Sequence, residues 1–109
     1  MVLLPLIVVL VVGLVGRDDG AAPGAQSGGD QVRIVDFAFA PEDTRVAVGS
    51  TITWTNDDGF DHSVVADDDL FESKAFGQGG TFAFTFDRPG RFAYVCGIHN
   101  SMRGVVVVE

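Results

Sequence analysis

The residues best suited to bind a metal ion are concentrated in one short segment near the end of the chain. Cys96, His99 and Met102 follow one another at intervals of three residues, and Cys96 is the only cysteine. His62 is the only other histidine and lies well before this segment. A thiolate, two imidazoles and a thioether are the ligand set of blue-copper electron-transfer sites. The four residues therefore predict a site that holds one copper ion and exchanges single electrons.

Other uses of these side chains fit the pattern less well. Structural zinc takes a closed set of cysteine, histidine or carboxylate ligands, and this chain has one cysteine. In cysteine enzymes the nucleophile and its histidine come from separate places in sequence, and no oxyanion motif is present. A single buried cysteine is often only a small hydrophobic residue. The joint spacing of cysteine, histidine and methionine, bracketed by Gly97 and Gly104, favours copper.

The predicted ligands can meet only if the fold joins two distant parts of the chain. Cys96 lies on the same strand face as Phe92 and Tyr94, so its side chain is expected to point inward. Gly97 allows the chain to turn sharply, which lets the two later ligands wrap around the same ion. His62 must come from another strand or loop, so the site would tie two parts of the domain together.

Apolar and polar residues alternate through most of the chain after residue 31, which predicts β-strands. The valine run at 105–108 is unbroken, as in a strand covered on both faces. Short strands separated by turn signals predict an all-β fold, an antiparallel sandwich or barrel. The phenylalanines of 82–86 and Trp54 are expected to pack between the sheets. The alternating segments are 32–35, 51–55, 81–86 and 92–96.

The N-terminal part differs in composition from the rest. Residues 2–15 are apolar apart from one proline and one glycine. The run is long enough for the apolar part of a secretory signal but shorter than the roughly 20 residues of a membrane-spanning helix. We predict a signal peptide or membrane anchor at 1–16, a flexible linker at 17–30 and the folded domain at 31–109. A signal or an anchor would export the domain to the periplasm or the extracellular space; a soluble element is the remaining alternative.

The chain is acidic, with 15 Asp and Glu against 7 Lys and Arg and a formal net charge of −8. Nucleic acid is therefore excluded as a partner, because phosphate binding needs a basic surface. Asp57, Asp58 and Asp61 precede His62, and three more aspartates follow at 67–69. These residues form either a solvated loop or an acidic docking surface for a basic cytochrome or membrane oxidoreductase. They lack the spacing of an EF-hand calcium site.

The domain resembles the cupredoxins of the plastocyanin/azurin family, which are type 1 blue copper proteins. The resemblance covers about residues 32–109, and the gap between the second histidine and the methionine is similar to that of amicyanin. It implies a Greek-key antiparallel β-sandwich with copper at one end. It is carried by FAFAP at 37–41, VGSTITWTN at 48–56, HSV at 62–64, PGRFAYVC at 89–96 and HNSMRG at 99–104.

The resemblance also implies roles for particular residues. The ligands would be His62, Cys96, His99 and Met102, and supporting hydrogen bonds would come from Ser63 and Asn56. His62 would be the more buried histidine, whereas His99 would be the exposed electron portal. A docking patch around the portal would consist of Gly97, Ile98 and Asn100.

Two positions depart from the usual family pattern. Ile98 stands where related sequences often carry proline, and Ser63 stands where they often carry asparagine. These differences bear on loop rigidity and reduction potential more than on the identity of the metal.

The function expected from these features is that of a monomeric, mononuclear type 1 copper protein. It would shuttle electrons between larger redox proteins outside the cytoplasm and would not itself be an enzyme. A copper enzyme would need further histidines for a second copper, and the chain has two in total. A copper carrier or chaperone, or an electron-donor module for a copper enzyme, remains as an alternative.

Overall fold

The computed structural model describes residues 30–109, whose strands form two four-stranded sheets. The predicted segment at 1–16 and all but the last residue of the predicted linker lie outside the described residues. Within 30–109, no helix is long and apolar enough to span a membrane. The strands are β1 Gln31–Val35, β2 Ala38–Ala40, β3 Asp43–Val46, β4 Thr51–Asn56, β5 Val65–Ala66, β6 Thr81–Thr85, β7 Gly90–Val95 and β8 Arg103–Val108.

The sheets confirm the all-β prediction, and each of them is mixed. One sheet has the order β2-β1-β4-β6 and the other the order β3-β8-β7-β5. Strands β1 and β4 run parallel, as do β3 and β8, whereas the other strand pairs are antiparallel. The parallel pairs join strands that are not consecutive in the chain. Strands joined by a tight hairpin must be antiparallel, whereas strands that are distant in the chain can pair in either direction.

Aromatic side chains from both sheets fill the space between them, as the alternation predicts. Trp54 of β4 and Tyr94 of β7 are fully buried, with ring centroids 5.4 Å apart in an edge-to-face arrangement. Phe39 of β2 packs on the Tyr94 ring at 4.7 Å. Phe82 and Phe84 are only partly buried, because β6 lies at the edge of its sheet.

The valines of β8 are covered on one face rather than on two. Val106 and Val108 are buried in the core, whereas Val105 and Val107 are half-buried on the outer face. The prediction of a strand covered on both faces is therefore wrong. Valine remains favourable at the outer positions, because β-branched residues suit a pleated surface within a sheet.

Candidate metal centre

The hairpin between β7 and β8 carries three of the four predicted ligands. The register pairs Val95 with Arg103 at the base of the loop. Beyond this pair the Cys96 N–H donates to the Met102 carbonyl at 3.1 Å, and the Met102 N–H donates to the His99 carbonyl at 2.9 Å. Cys96 and Met102 are buried, and His99 is half-buried. The inward direction predicted for Cys96 is confirmed.

His62 comes from the connection between β4 and β5. It forms an isolated β-bridge with Phe76, in which each N–H donates to the other carbonyl, at 3.1 and 2.8 Å. The neighbouring strand begins only at Val65. His62 is fully buried, so its exposure relative to half-buried His99 follows the predicted order.

The fold brings His62, Cys96 and His99 together. Their ligand atoms all lie within 4.8 Å of one another, and Cys96 Sγ is 3.8 Å from His62 Nδ1. The two imidazole centroids are 5.1 Å apart. Among the described residues, His99 Nδ1 is buried and has no hydrogen-bond partner. Because an unpaired buried nitrogen is costly, this arrangement fits a site in which a metal ion satisfies it.

The environment of Cys96 favours the thiolate, which is the form that binds metals. Burial by itself raises the pKa of the Cys96 thiol, but backbone N–H groups outweigh it and lower the pKa to about 6. The amides of Ser63 and His99 both donate to Cys96 Sγ at 3.4 Å. Further lowering comes from the Ile98 amide.

Ser63 links the two segments that carry the ligands. Its Oγ accepts a hydrogen bond from the Gly97 N–H at 2.9 Å. A Cβ at position 97 would lie 2.8 Å from this oxygen and 3.2 Å from Val65 Cγ2. The chain does bend at Gly97, but its backbone is not left-handed. The requirement for glycine therefore comes from this close approach and not from the sharp turn that the sequence suggested.

Asn56, the other predicted supporting residue, is fully buried at the end of β4. Its Nδ2 donates to the carbonyls of Phe60 and Phe76 at 2.8 and 2.9 Å. Its Oδ1 accepts from the Asp58 N–H at 2.8 Å. Asn56 thus holds the loop that precedes His62.

Sequence reasoning left Phe37 out of the site, and no local signal placed it there. Phe37 and its neighbour Asp36 form the β1–β2 turn, with φ of 59° and 54° respectively. The Phe37 ring meets the rings of His62 and His99 edge-on, at centroid distances of 5.3 and 5.1 Å. It also packs against Phe60 at 5.2 Å. Phe37 therefore covers both predicted histidine ligands from the solvent side.

Asp58 also contributes to the site, although in the sequence it is only one of several clustered aspartates. Its carboxylate accepts from the N–H groups of Asp36 and Phe37 and from His62 Nε2. The Phe37 N–H contributes most to lowering the pKa of Asp58, and partial burial opposes that effect. Two other aspartates of the cluster, Asp57 and Asp67, form ion pairs with exposed arginines instead of contacting a histidine.

The predicted docking residues lie at the surface beside His99. Gly97, Ile98 and Asn100 are all exposed. Phe37 and Phe60, which the sequence did not place there, extend this surface and are 44% and 61% exposed. We call the exposed apolar residues Phe37, Phe60 and Ile98 the apolar rim.

A two-sheet β-sandwich with one cysteine and two histidines clustered between a hairpin loop and a neighbouring connection defines a small copper-binding protein. The model of the copper-binding proteins of the plastocyanin/azurin family matches residues 28–109. The chain belongs to this family, and its cofactor is copper.

Individual relatives agree with this assignment. Amicyanin-alpha of Methylorubrum extorquens is 32% identical over 95 residues, covering 82% of this chain and 79% of that protein. Halocyanin of Natronomonas pharaonis is 41% identical over 97 residues, covering 77% of this chain but only 60% of the halocyanin. Among solved structures, an oxidized amicyanin variant superposes with a TM-score of 0.71 at 28% identity, covering 75% of this chain and 83% of that one. The sandwich fold expected from the resemblance is confirmed.

Proposed function

We propose that this protein carries single electrons between larger redox proteins, using one type 1 copper ion. The ligands would be His62, Cys96, His99 and Met102. The observation that carries this proposal is the convergence of three ligand atoms within 4.8 Å. Electron transfer is the general role of the family to which the chain belongs. When bound, copper supplies a one-electron couple between Cu(II) and Cu(I).

The protein side chains would set the properties of that couple. Cys96 is held as a thiolate by backbone donors, and thiolate is the ligand that couples most strongly to copper. Met102 offers a neutral thioether from a buried position, which suits Cu(I). The hydrogen bond that Ser63 Oγ accepts from the Gly97 N–H and the one that Asn56 Nδ2 donates to the Phe60 carbonyl hold the ligand loops in place. A site organised in this way needs little rearrangement when an electron enters or leaves.

Electrons would enter and leave through the half-buried His99, and the partner protein would contact the apolar rim around it. An exposed apolar patch beside a redox centre suits brief contact with a partner protein. The partner would be a redox protein such as a cytochrome or a membrane oxidoreductase. The net charge of −8 favours a basic partner, because opposite charges speed the encounter.

We propose that the protein works outside the cytoplasm, as a monomer in the periplasm or the extracellular space, either free or attached to the membrane through its N-terminal segment. The support for export is the apolar stretch at 2–15, which lies in the segment 1–16 predicted to be a signal or an anchor. The mass of the mature protein, purified separately from membrane and soluble fractions, would test this placement. A full-length mass found only in a cytoplasmic fraction would refute it.

The experiment that tests the copper assignment is a Cu(II) titration of the purified protein, followed by visible absorption and EPR. The wild type should turn intensely blue at one copper per chain. Cys96→Ser should lose this band because a hydroxyl replaces the thiolate, whereas the exposed loop variant Ser101→Ala should keep it. An unchanged copper EPR spectrum in Cys96→Ser would refute the ligand assignment.

A second measurement separates an electron carrier from a copper carrier. A shuttle keeps its copper in both oxidation states, whereas a copper chaperone releases it readily. Competition with a Cu(I) chelator should therefore leave copper on the wild-type protein. Rapid loss of Cu(I) to a weak chelator would favour the copper carrier instead.

A further inference from the structure

The carboxylate of Asp58 joins two parts of the site that are distant in sequence. Its Oδ1 accepts from the Asp36 N–H at 2.7 Å. Its Oδ2 accepts from the Phe37 N–H at 2.9 Å and from His62 Nε2 at 2.9 Å. The side chain is 11% exposed, so water competes little for these contacts. One carboxylate therefore accepts hydrogen bonds from three donors in two segments.

We propose that Asp58 is a positioning residue of the metal centre. It fixes the tautomer and the orientation of His62 and, with the same carboxylate, holds Phe37 against both imidazoles. This inference rests on the proposed function, since it takes His62 as a copper ligand.

The tautomer follows from the chemistry of the contact. An ionised carboxylate only accepts hydrogen bonds, so His62 Nε2 must carry the proton. The lone pair is then on Nδ1, which is the nitrogen 3.8 Å from Cys96 Sγ. Histidines that bind metals commonly donate their other ring N–H to such a partner, which raises their basicity as ligands.

The Asp58 carboxylate holds Phe37 through the backbone of the β1–β2 turn. Asp36 and Phe37 both have left-handed φ, which residues with side chains rarely adopt. Consecutive N–H groups in such a turn point the same way and form a cradle for an anion. The Asp58 carboxylate occupies this cradle. The turn therefore keeps the Phe37 ring at 5.3 Å from His62 and 5.1 Å from His99.

Asp58 is itself held in place by a hydrogen bond to Asn56, and its loop is held by an ion pair of Asp57. Its N–H donates to Asn56 Oδ1 at 2.8 Å, and Asn56 is fully buried with both of its other contacts on backbone carbonyls. The neighbouring Asp57 is tied to Arg33 of β1 at 2.6 Å. The loop before His62 is thus attached to the same sheet as the Phe37 turn.

Asparagine cannot replace this carboxylate. Asp58→Asn leaves one acceptor oxygen where the structure uses two, so either the Asp36 N–H loses its acceptor or the Phe37 N–H and His62 Nε2 both lose theirs. The change also removes a negative charge near the metal, which destabilises Cu(II) more than Cu(I). We expect Cu(II) affinity to fall roughly 10- to 100-fold, the usual effect of losing such a partner. If Cu(I) affinity is unchanged, each tenfold loss raises the reduction potential by about 59 mV.

The first test needs neither copper nor a mutation. Nitrogen-15 NMR of histidine-labelled, metal-free wild type in mildly alkaline buffer reports the tautomers of only two residues. His62 should be protonated on Nε2. Protonation on Nδ1 would overturn the proposal, and this measurement stands even if the protein proves not to bind copper in the blue form.

The second test compares the reduction potentials of copper-loaded Asp58→Asn and Asp61→Asn. Asp61 is an exposed neighbour of His62 whose carboxylate accepts no hydrogen bond in the described region, so its variant controls for the lost charge. Asp58→Asn should show the higher potential and a changed visible spectrum. Equal potentials in the two variants would refute the positioning role, whereas a colourless wild type would refute the proposed function instead.

Discussion

The substitution Gly104→Ala should destabilise the domain strongly, because Tyr94 leaves no space for a methyl group. Gly104 of β8 lies directly across the ladder from Tyr94 of β7. An added Cβ would overlap Cζ and Oη of the tyrosine ring and lie only 2.9 Å from Cε1. Ordinary carbon contacts are about 3.5–4.0 Å. The ring cannot simply retreat, since Trp54 and Phe39 pack against it from the other sheet.

The cost follows from how this overlap can be relieved. Overpacking a tight core costs about 1–3 kcal/mol, and each disturbed aromatic pair adds about 0.5–1.5 kcal/mol. We therefore expect a loss of about 3 kcal/mol in the free energy of unfolding. For a domain of this size, that loss corresponds to a fall in Tm of roughly 12–24 °C. Removing the tyrosine hydroxyl with Tyr94→Phe in the same chain should recover part of the loss.

Urea unfolding of the metal-free protein, followed by Trp54 fluorescence, measures the effect without any contribution from copper. The matched control is Gly59→Ala, because a Cβ there meets no atom within 4 Å and the backbone is not left-handed. That control should be neutral or stabilising by about 0.4–1 kcal/mol. If Gly104→Ala unfolds within about 0.5 kcal/mol of the control, the packing argument is wrong.

Two further predictions concern the ligand loops and the charged surface. Ser63→Ala removes the acceptor of the Gly97 N–H and should cost about 1 kcal/mol in urea unfolding; a loss no larger than that of Ser101→Ala would contradict the bridging role. The rate of electron transfer to a basic cytochrome should fall as ionic strength rises, because the chain carries a net charge of −8. A rate constant that does not change across a salt series would show that the acidic residues are only solvated.

Much of the site could be predicted because its chemistry is local. Cys96, His99 and Met102 lie in one loop, and strand alternation decides that Cys96 points inward with Tyr94. His62 could be added by elimination, since the chain has no other histidine. None of these steps required knowledge of which strands are neighbours.

The sequence by itself determined the candidate donor atoms, the all-β class and the inward face of the strand that carries Cys96. These properties depend on residue type and on spacing within single segments. The tertiary structure alone decided that the Asp58 carboxylate accepts a hydrogen bond from the N–H of Phe37, 21 residues before it in the chain. It also decided that Gly97 must be small because of Ser63, 34 residues earlier. Such contacts arise only when the two sheets and their connecting loops pack together, and no periodicity along the chain encodes them.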